Sequence, residues 1–156
     1  MQYFYWLLAF FVGAGAAIQA AINSRLAAGL GDQPVIAAFI SFLIGTIFLG
    51  VIMISQSNLT LAWAGLPEQP WWRWLGGLIG AVFVFSTVLL APKIGLVNMV
   101  FLIILGQLSA GMAIDAYGLI QMPTRPLSWQ KYIGILVMLL GLLIFMFGDK
   151  LSSMMK

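Results

Sequence analysis

Two sets of polar residues recur at helical spacing inside otherwise apolar runs. Gly15, Gln19 and Asn23 stand at i, i+4 and i+8, and so do Gln107, Gly111 and Asp115. At 3.6 residues per turn each set falls on one helix face, within about 80°. Amide side chains both donate and accept hydrogen bonds, whereas an ionised carboxylate only accepts. In hydrocarbon such groups are costly, so they turn toward protein or a water-filled cavity. Two readings follow. Gln19, Asn23, Gln107 and Asp115 line a polar pathway that binds a small polar molecule, or they are hydrogen-bond glue between helices. Gln107 falls at the middle of its apolar run. Asp115 lies about 12 Å further along, near the hydrocarbon edge, where hydration or pairing with Arg125 would equally account for it.

Other chemistry lacks its parts. The sequence has no cysteine and no histidine, which removes disulfides, zinc or haem sites built on those ligands, and Cys- or Ser–His-type nucleophiles. No metal-ligand cluster and no Walker-type nucleotide loop is visible, so the expectation is no enzyme, no metal and no cofactor. The formal net charge of +3 reads as a few flanking anchors, with no nucleic acid as partner.

The elements that must position these residues are membrane helices. Of 156 residues, 63% are hydrophobic and 7% charged, against about 25% charged in soluble domains. So few charges cannot cover a water-facing surface, and the solvent around most of the chain must be lipid. The apolar runs are long and continuous, unlike the short alternating segments of a barrel. They predict an all-α integral membrane protein with five spans at about 4–24, 35–54, 71–91, 96–116 and 129–148. Each span is about 20 residues, which suits a hydrocarbon core of about 30 Å. Residues 1–156 read as a single transmembrane domain, with Ser55–Pro70 the longest connection and Ser152–Lys156 a short tail. The first run starts at Tyr3 without a basic leader and reads as a retained helix. All six prolines are expected between the spans, with Pro34 in the first turn of the second helix. Trp71, Trp72, Trp74 and Trp129 mark helix starts at headgroup level.

Topology follows from the basic residues. Five spans place Arg73, Arg125 and Lys131 on one side and Arg25, Lys93, Lys150 and Lys156 on the other. Three against four is barely an asymmetry, which predicts insertion in both orientations. The alternative is that Arg25 alone fixes the N-terminus outside. Small residues repeat as well. Ala9, Gly13, Ala17 and Ala21 step by four, as do Ala37, Ser41 and Gly45. Gly134, Gly141 and Gly148 step by seven, and Gly76, Gly77 and Gly80 cluster. Such stripes let helix backbones approach and mark helix–helix seams.

Gly13 to Leu26, with Gln19, Asn23 and Arg25, resembles the DUF606 (YdcZ-like) family of the drug/metabolite transporter superfamily. So do Gly76-Gly77-Leu-Ile-Gly80 through Ser86-Thr87, Gly106-Gln107, Ile114-Asp115-Ala-Tyr-Gly118 and Pro123-Thr-Arg125-Pro126. The order and spacing of these segments cover nearly the whole chain. The resemblance implies a five-helix half-transporter of the bacterial inner membrane. Its partner would be a second copy, or a sister five-helix protein, arranged antiparallel to give ten helices. Four-helix multidrug-resistance relatives carry an embedded glutamate in their first helix. This chain has Gln19 and no acid there, so that proton-binding carboxylate does not transfer.

Two functions from different classes compete on this footing. The first is a secondary transporter of a small molecule, working by alternating access at a dimer interface, with Asp115 at the rim tuning entry or carrying a proton. The alternative is a non-transporting membrane scaffold or subunit of a hetero-oligomeric complex.

Overall fold

The structure, a computed structural model, describes residues 2–154, with side chains through Gly148. The side chains of Lys150 and Lys156, counted for topology, and of the tail Ser152–Lys156 lie outside the described residues. Six α-helices follow one another: α1 (Gln2–Gly29), α2 (Pro34–Gln56), the short α3 (Leu59–Gly65), α4 (Leu75–Ile94), α5 (Leu96–Tyr117) and α6 (Trp129–Met154). No strand occurs among the described residues. Among the described residues five segments are long and apolar enough to cross a membrane: Gln2–Gly29, Pro34–Gln56, Trp71–Ile94, Leu96–Tyr117 and Trp129–Gly148. The five expected spans are therefore present. Their outward side chains are overwhelmingly apolar, as at Phe10, Phe39 and Ile54, which is the surface hydrocarbon requires.

Several boundaries differ from the sequence expectation, each for a physical reason. The first helix continues past Ser24 to Gly29. Its 28 residues span about 42 Å, so its end, with Arg25, reaches headgroup level. Pro92 lies inside α4, in its last turn, rather than between spans. Pro92 lacks the N–H that would close on the Val88 carbonyl, so one intrahelical bond is lost in the last turn, and the Gly95 N–H closes the next turn on the Ala91 carbonyl at 3.1 Å. Trp71–Trp74 forms a separate 3-10 turn before α4. The Ser55–Pro70 connection is itself partly helical. Asn58 caps α3 by accepting the Leu61 N–H at 3.1 Å, as short polar residues do at helix starts. Gln69 then ties this connection to the next span, donating to the Gly65 carbonyl at 3.0 Å and accepting from Arg73. Pro34 is the first residue of α2, as expected.

The chain divides into two compact units, Met1–Leu96 and Val97–Lys156. In the first, α1, α2 and α4 pack on one another. Their buried residues are small: Ala27, Ala37, Ala38, Val84 and Val88, with Leu26 and Phe85 against them. These lie at the C-terminal ends of α1 and α4 and the N-terminal end of α2, so the three helices meet tightly at one end. Toward the other end packing loosens. Ala9 and Gly13 share a helix face with the buried Ala20 and Ala27, yet both are exposed. The expected α1 seam thus holds only in its C-terminal half within this unit. On α2 the stripe is engaged. Ala37 is fully buried, Ser41 reaches α1, and Phe42 comes within 3.7 Å of a Cβ placed at Gly80 on α4.

In the second unit, α5 and α6 meet through side chains, with the Phe101 and Phe145 rings 5.2 Å apart. Between them the chain turns through Gly118 in the left-handed region, at φ 61. A Cβ there would sit 2.7 Å from Thr124 Cγ2 and 3.2 Å from the Met122 carbonyl oxygen, so glycine is required by conformation and by space. Ile120 and Gln121 are also left-handed, a strained state for a β-branched residue.

Candidate functional site

The sequence-derived polar residues divide between the two units, Gln19 and Asn23 in the first, Gln107 and Asp115 in the second. On α1, Asn23 is only 4% exposed, and its Nδ2 donates to Ser41 Oγ on α2 at 3.0 Å. A buried amide must find such a partner, and this one bolts α1 to α2. One turn away the two helices part, leaving a cavity of about 170 Å³ lined by Gln19 on α1 and by Ser41, Gly45 and Thr46 on α2. Gln19 is exposed to this opening, so its amide is accessible. Thr87, the other buried polar residue of this unit, donates to the Val84 carbonyl of its own helix at 2.8 Å.

On α5, Gln107 is exposed near the centre of a 22-residue helix. The α5–α6 cavity, about 290 Å³, is lined from α5 by Ser109, Met112, Ala113 and Ala116, and by Tyr132 and Ile135 of α6. By helical geometry those α5 residues centre opposite Gln107 and Gly111, while Asp115 falls about 60° from Met112. Gln107 therefore turns away from the α5–α6 cavity. Asp115 is half-buried. Its link to Arg125 is a backbone one, the Arg125 N–H donating to the Asp115 carbonyl at 2.8 Å, rather than the side-chain pairing considered from the sequence.

A third feature lies outside the sequence-derived residues. Where α1, α2 and α4 converge, a cleft of about 450 Å³ is lined by Ser24, Arg25, Asp32 and Lys93, over an apolar floor that includes Ala27 and Val88. The turn that carries Asp32 is built by Gly31 at φ 76 and Asp32 at φ 57, conformations that glycine, and less readily aspartate, accept. The Gln33 N–H then returns to the Ala27 carbonyl at 3.2 Å. The signal was present in the sequence. Span counting places Arg25 and Lys93 on one membrane side, and Asp32 sits in the loop between the first two spans. Read together, they place three charges at one end of the bundle. That Arg25 and Lys93 line one cleft agrees with that assignment.

Among the described residues no group of three or more His, Cys, Asp or Glu could hold a metal ion. The arrangement offers amides, hydroxyls and one mixed-charge cleft, which are groups for binding a polar solute in an apolar frame.

The five membrane-length helices define a multi-pass membrane protein. Residues 4–144 match the family described as "Putative inner membrane exporter, YdcZ", and the chain belongs to that family. It is a family of cell-membrane exporters of the drug/metabolite transporter type rather than of enzymes. No curated protein and no solved structure matches the chain.

Proposed function

We propose that this chain is half of a secondary transporter that exports a small polar metabolite. Two copies, or one copy and a sister five-helix protein, assemble antiparallel into ten helices, and access alternates at their interface. The observation that carries the reading is the polar face of α5. It holds Gln107 at mid-helix, exposed and turned from the α5–α6 cavity. An amide at that depth facing only hydrocarbon is unfavourable, so a partner surface or a solute-filled cavity should cover it. The glycines support the same reading. Among the described residues nothing lies within 4 Å of a Cβ built at Gly13, Gly15, Gly134 or Gly141, which leaves these stripes open to a second chain.

Gln19, Asn23, Gln107 and Asp115 are the proposed binding residues, with unequal roles. Gln19 and Gln107 present accessible amides suited to a neutral or zwitterionic solute. Asn23 holds the wall of the Gln19 cavity through Ser41. Asp115 lies toward the rim. The test is flux into proteoliposomes over a metabolite panel, with the chain alone and with any sister five-helix protein. Saturable, protein-dependent flux of at least one small polar compound is expected. Absence of flux in both preparations, from folded and assembled protein, would favour a scaffold.

A further inference from the structure

We propose that the Arg25–Asp32–Lys93 cleft is a binding site for a small zwitterion, one that carries a carboxylate or phosphate beside an ammonium group. The cleft is assembled from three helices. Ser24 and Arg25 come from α1, Asp32 from the α1–α2 turn, and Lys93 from the last turn of α4. Its volume of about 450 Å³ lies within the range of small-molecule sites, about 300–1,000 Å³. Its floor is apolar and closed, with Val88 at 1% and Ala27 at 6% exposure, while the charged groups stand at the mouth.

Several features point to a ligand with charge of both signs. Among the described residues no ion pair joins Arg25, Lys93 and Asp32 to one another or to another side chain. Charges of both signs that share one cleft without pairing have capacity to spare for a ligand. Two cations against one carboxylate favour an anionic group, which a guanidinium and an ammonium bind by charge-assisted hydrogen bonds. The single carboxylate supplies a place for an ammonium and disfavours a second anionic group. The turn that presents Asp32 is fixed by hydrogen bonds to the end of α1, so the carboxylate's backbone is held in place before a ligand arrives. Arg25 falls at the end of a helix longer than the hydrocarbon core, so the cleft opens at headgroup level. The same chemistry could therefore come from an ethanolamine phospholipid headgroup or from a free amino-acid-like solute. The proposal rests on the transporter reading only for the ligand's being carried, and binding stands independently of it.

The experiment is a binding titration on the purified full-length chain, which is insensitive to membrane orientation. The probes are O-phosphoethanolamine and alanine as zwitterions, with inorganic phosphate as plain anion and ethanolamine as plain cation. At least one zwitterion should bind more tightly than phosphate, and ethanolamine least. Arg25→Gln and Lys93→Gln should each weaken zwitterion binding by about 10-fold or more. Asp32→Asn should weaken the zwitterion yet strengthen phosphate, a reversal that general damage to the fold would not produce. Asparagine also accepts the left-handed backbone at this position, so the turn should survive. Repeating the titration in nanodiscs with and without phosphatidylethanolamine separates the sources. Competition by that lipid assigns the headgroup, and unchanged solute binding assigns the free solute. The proposal is overturned if the folded protein binds no zwitterion above phosphate in detergent and lipid-free of ethanolamine heads, or if Asp32→Asn shifts both ligands in the same direction. Flux in proteoliposomes is a separate readout, so binding without flux would contradict the transporter reading and leave the site standing.

Discussion

Asn23 on α1 and Ser41 on α2 are joined side chain to side chain, Nδ2 to Oγ at 3.0 Å, just above the point where the two helices separate around Gln19. Breaking this bond should loosen the wall of the Gln19 cavity. Asn23→Ala and Ser41→Ala are each expected to destabilise the protein by about 1 kcal/mol, with a coupling of about 0.6 kcal/mol, the average for such bonds in a membrane bundle. A double-mutant cycle in bicelles measures it. Strict additivity would mean the two side chains do not interact.

Gly118 is the second position where a single substitution has a defined cost. Alanine there meets Thr124 Cγ2 at 2.7 Å in a backbone conformation that L-residues avoid. Gly118→Ala should destabilise by about 1–3 kcal/mol, whereas Gly111→Ala, inside α5 with nothing within 4 Å, should be neutral or stabilising by up to about 1 kcal/mol. Equal stabilities of the two variants by thermal or denaturant unfolding would contradict this turn geometry.

These two positions also show what was legible in advance. The five spans were readable because about 20 apolar residues bounded by proline and tryptophan permit little else in lipid. Helix ends were less readable, since the turn Leu26–Gly29 beyond the charged Arg25 and the last turn through Pro92 remain helical where backbone bonds can still close. The spacing that put Gln19 and Asn23 on one face was correct, but spacing alone could not say that Ser41 takes up one amide and leaves the other accessible. The charged cleft was not legible because Arg25 and Lys93 lie far apart in sequence, and they come to line one cleft only when α1 and α4 pack at the same end.

The flat distribution of basic residues predicts two orientations in the membrane. C-terminal fusions to a cytoplasmic and to a periplasmic reporter should both give signal, and adding one lysine to the α4–α5 turn beside Lys93 should bias them. A signal from one side only, unmoved when Lys93 or Arg125 is relocated, would reject dual insertion.

The open glycines of α6 predict assembly. A Cβ placed at Gly134 or Gly141 meets nothing within 4 Å in the described residues, so helix content should be retained on substitution by leucine. If these glycines form a seam with a second chain, dimerisation should weaken by about 1–3 kcal/mol, readable by cross-linking or single-molecule photobleaching in bilayers. Dimers of unchanged stability would move the seam elsewhere.

The central claim is that accessible amides on α1 and α5 line the path of a transported solute. Gln19→Ala and Gln107→Ala flux, measured in proteoliposomes with a substrate identified from the panel, tests it most directly. Each variant is expected to lose most of the flux while expression and assembly are kept, with a modest destabilisation of at most about 1–3 kcal/mol where a buried partner is left unpaired. Normal flux through both variants would show that the amides only pack the helices and that the path lies elsewhere.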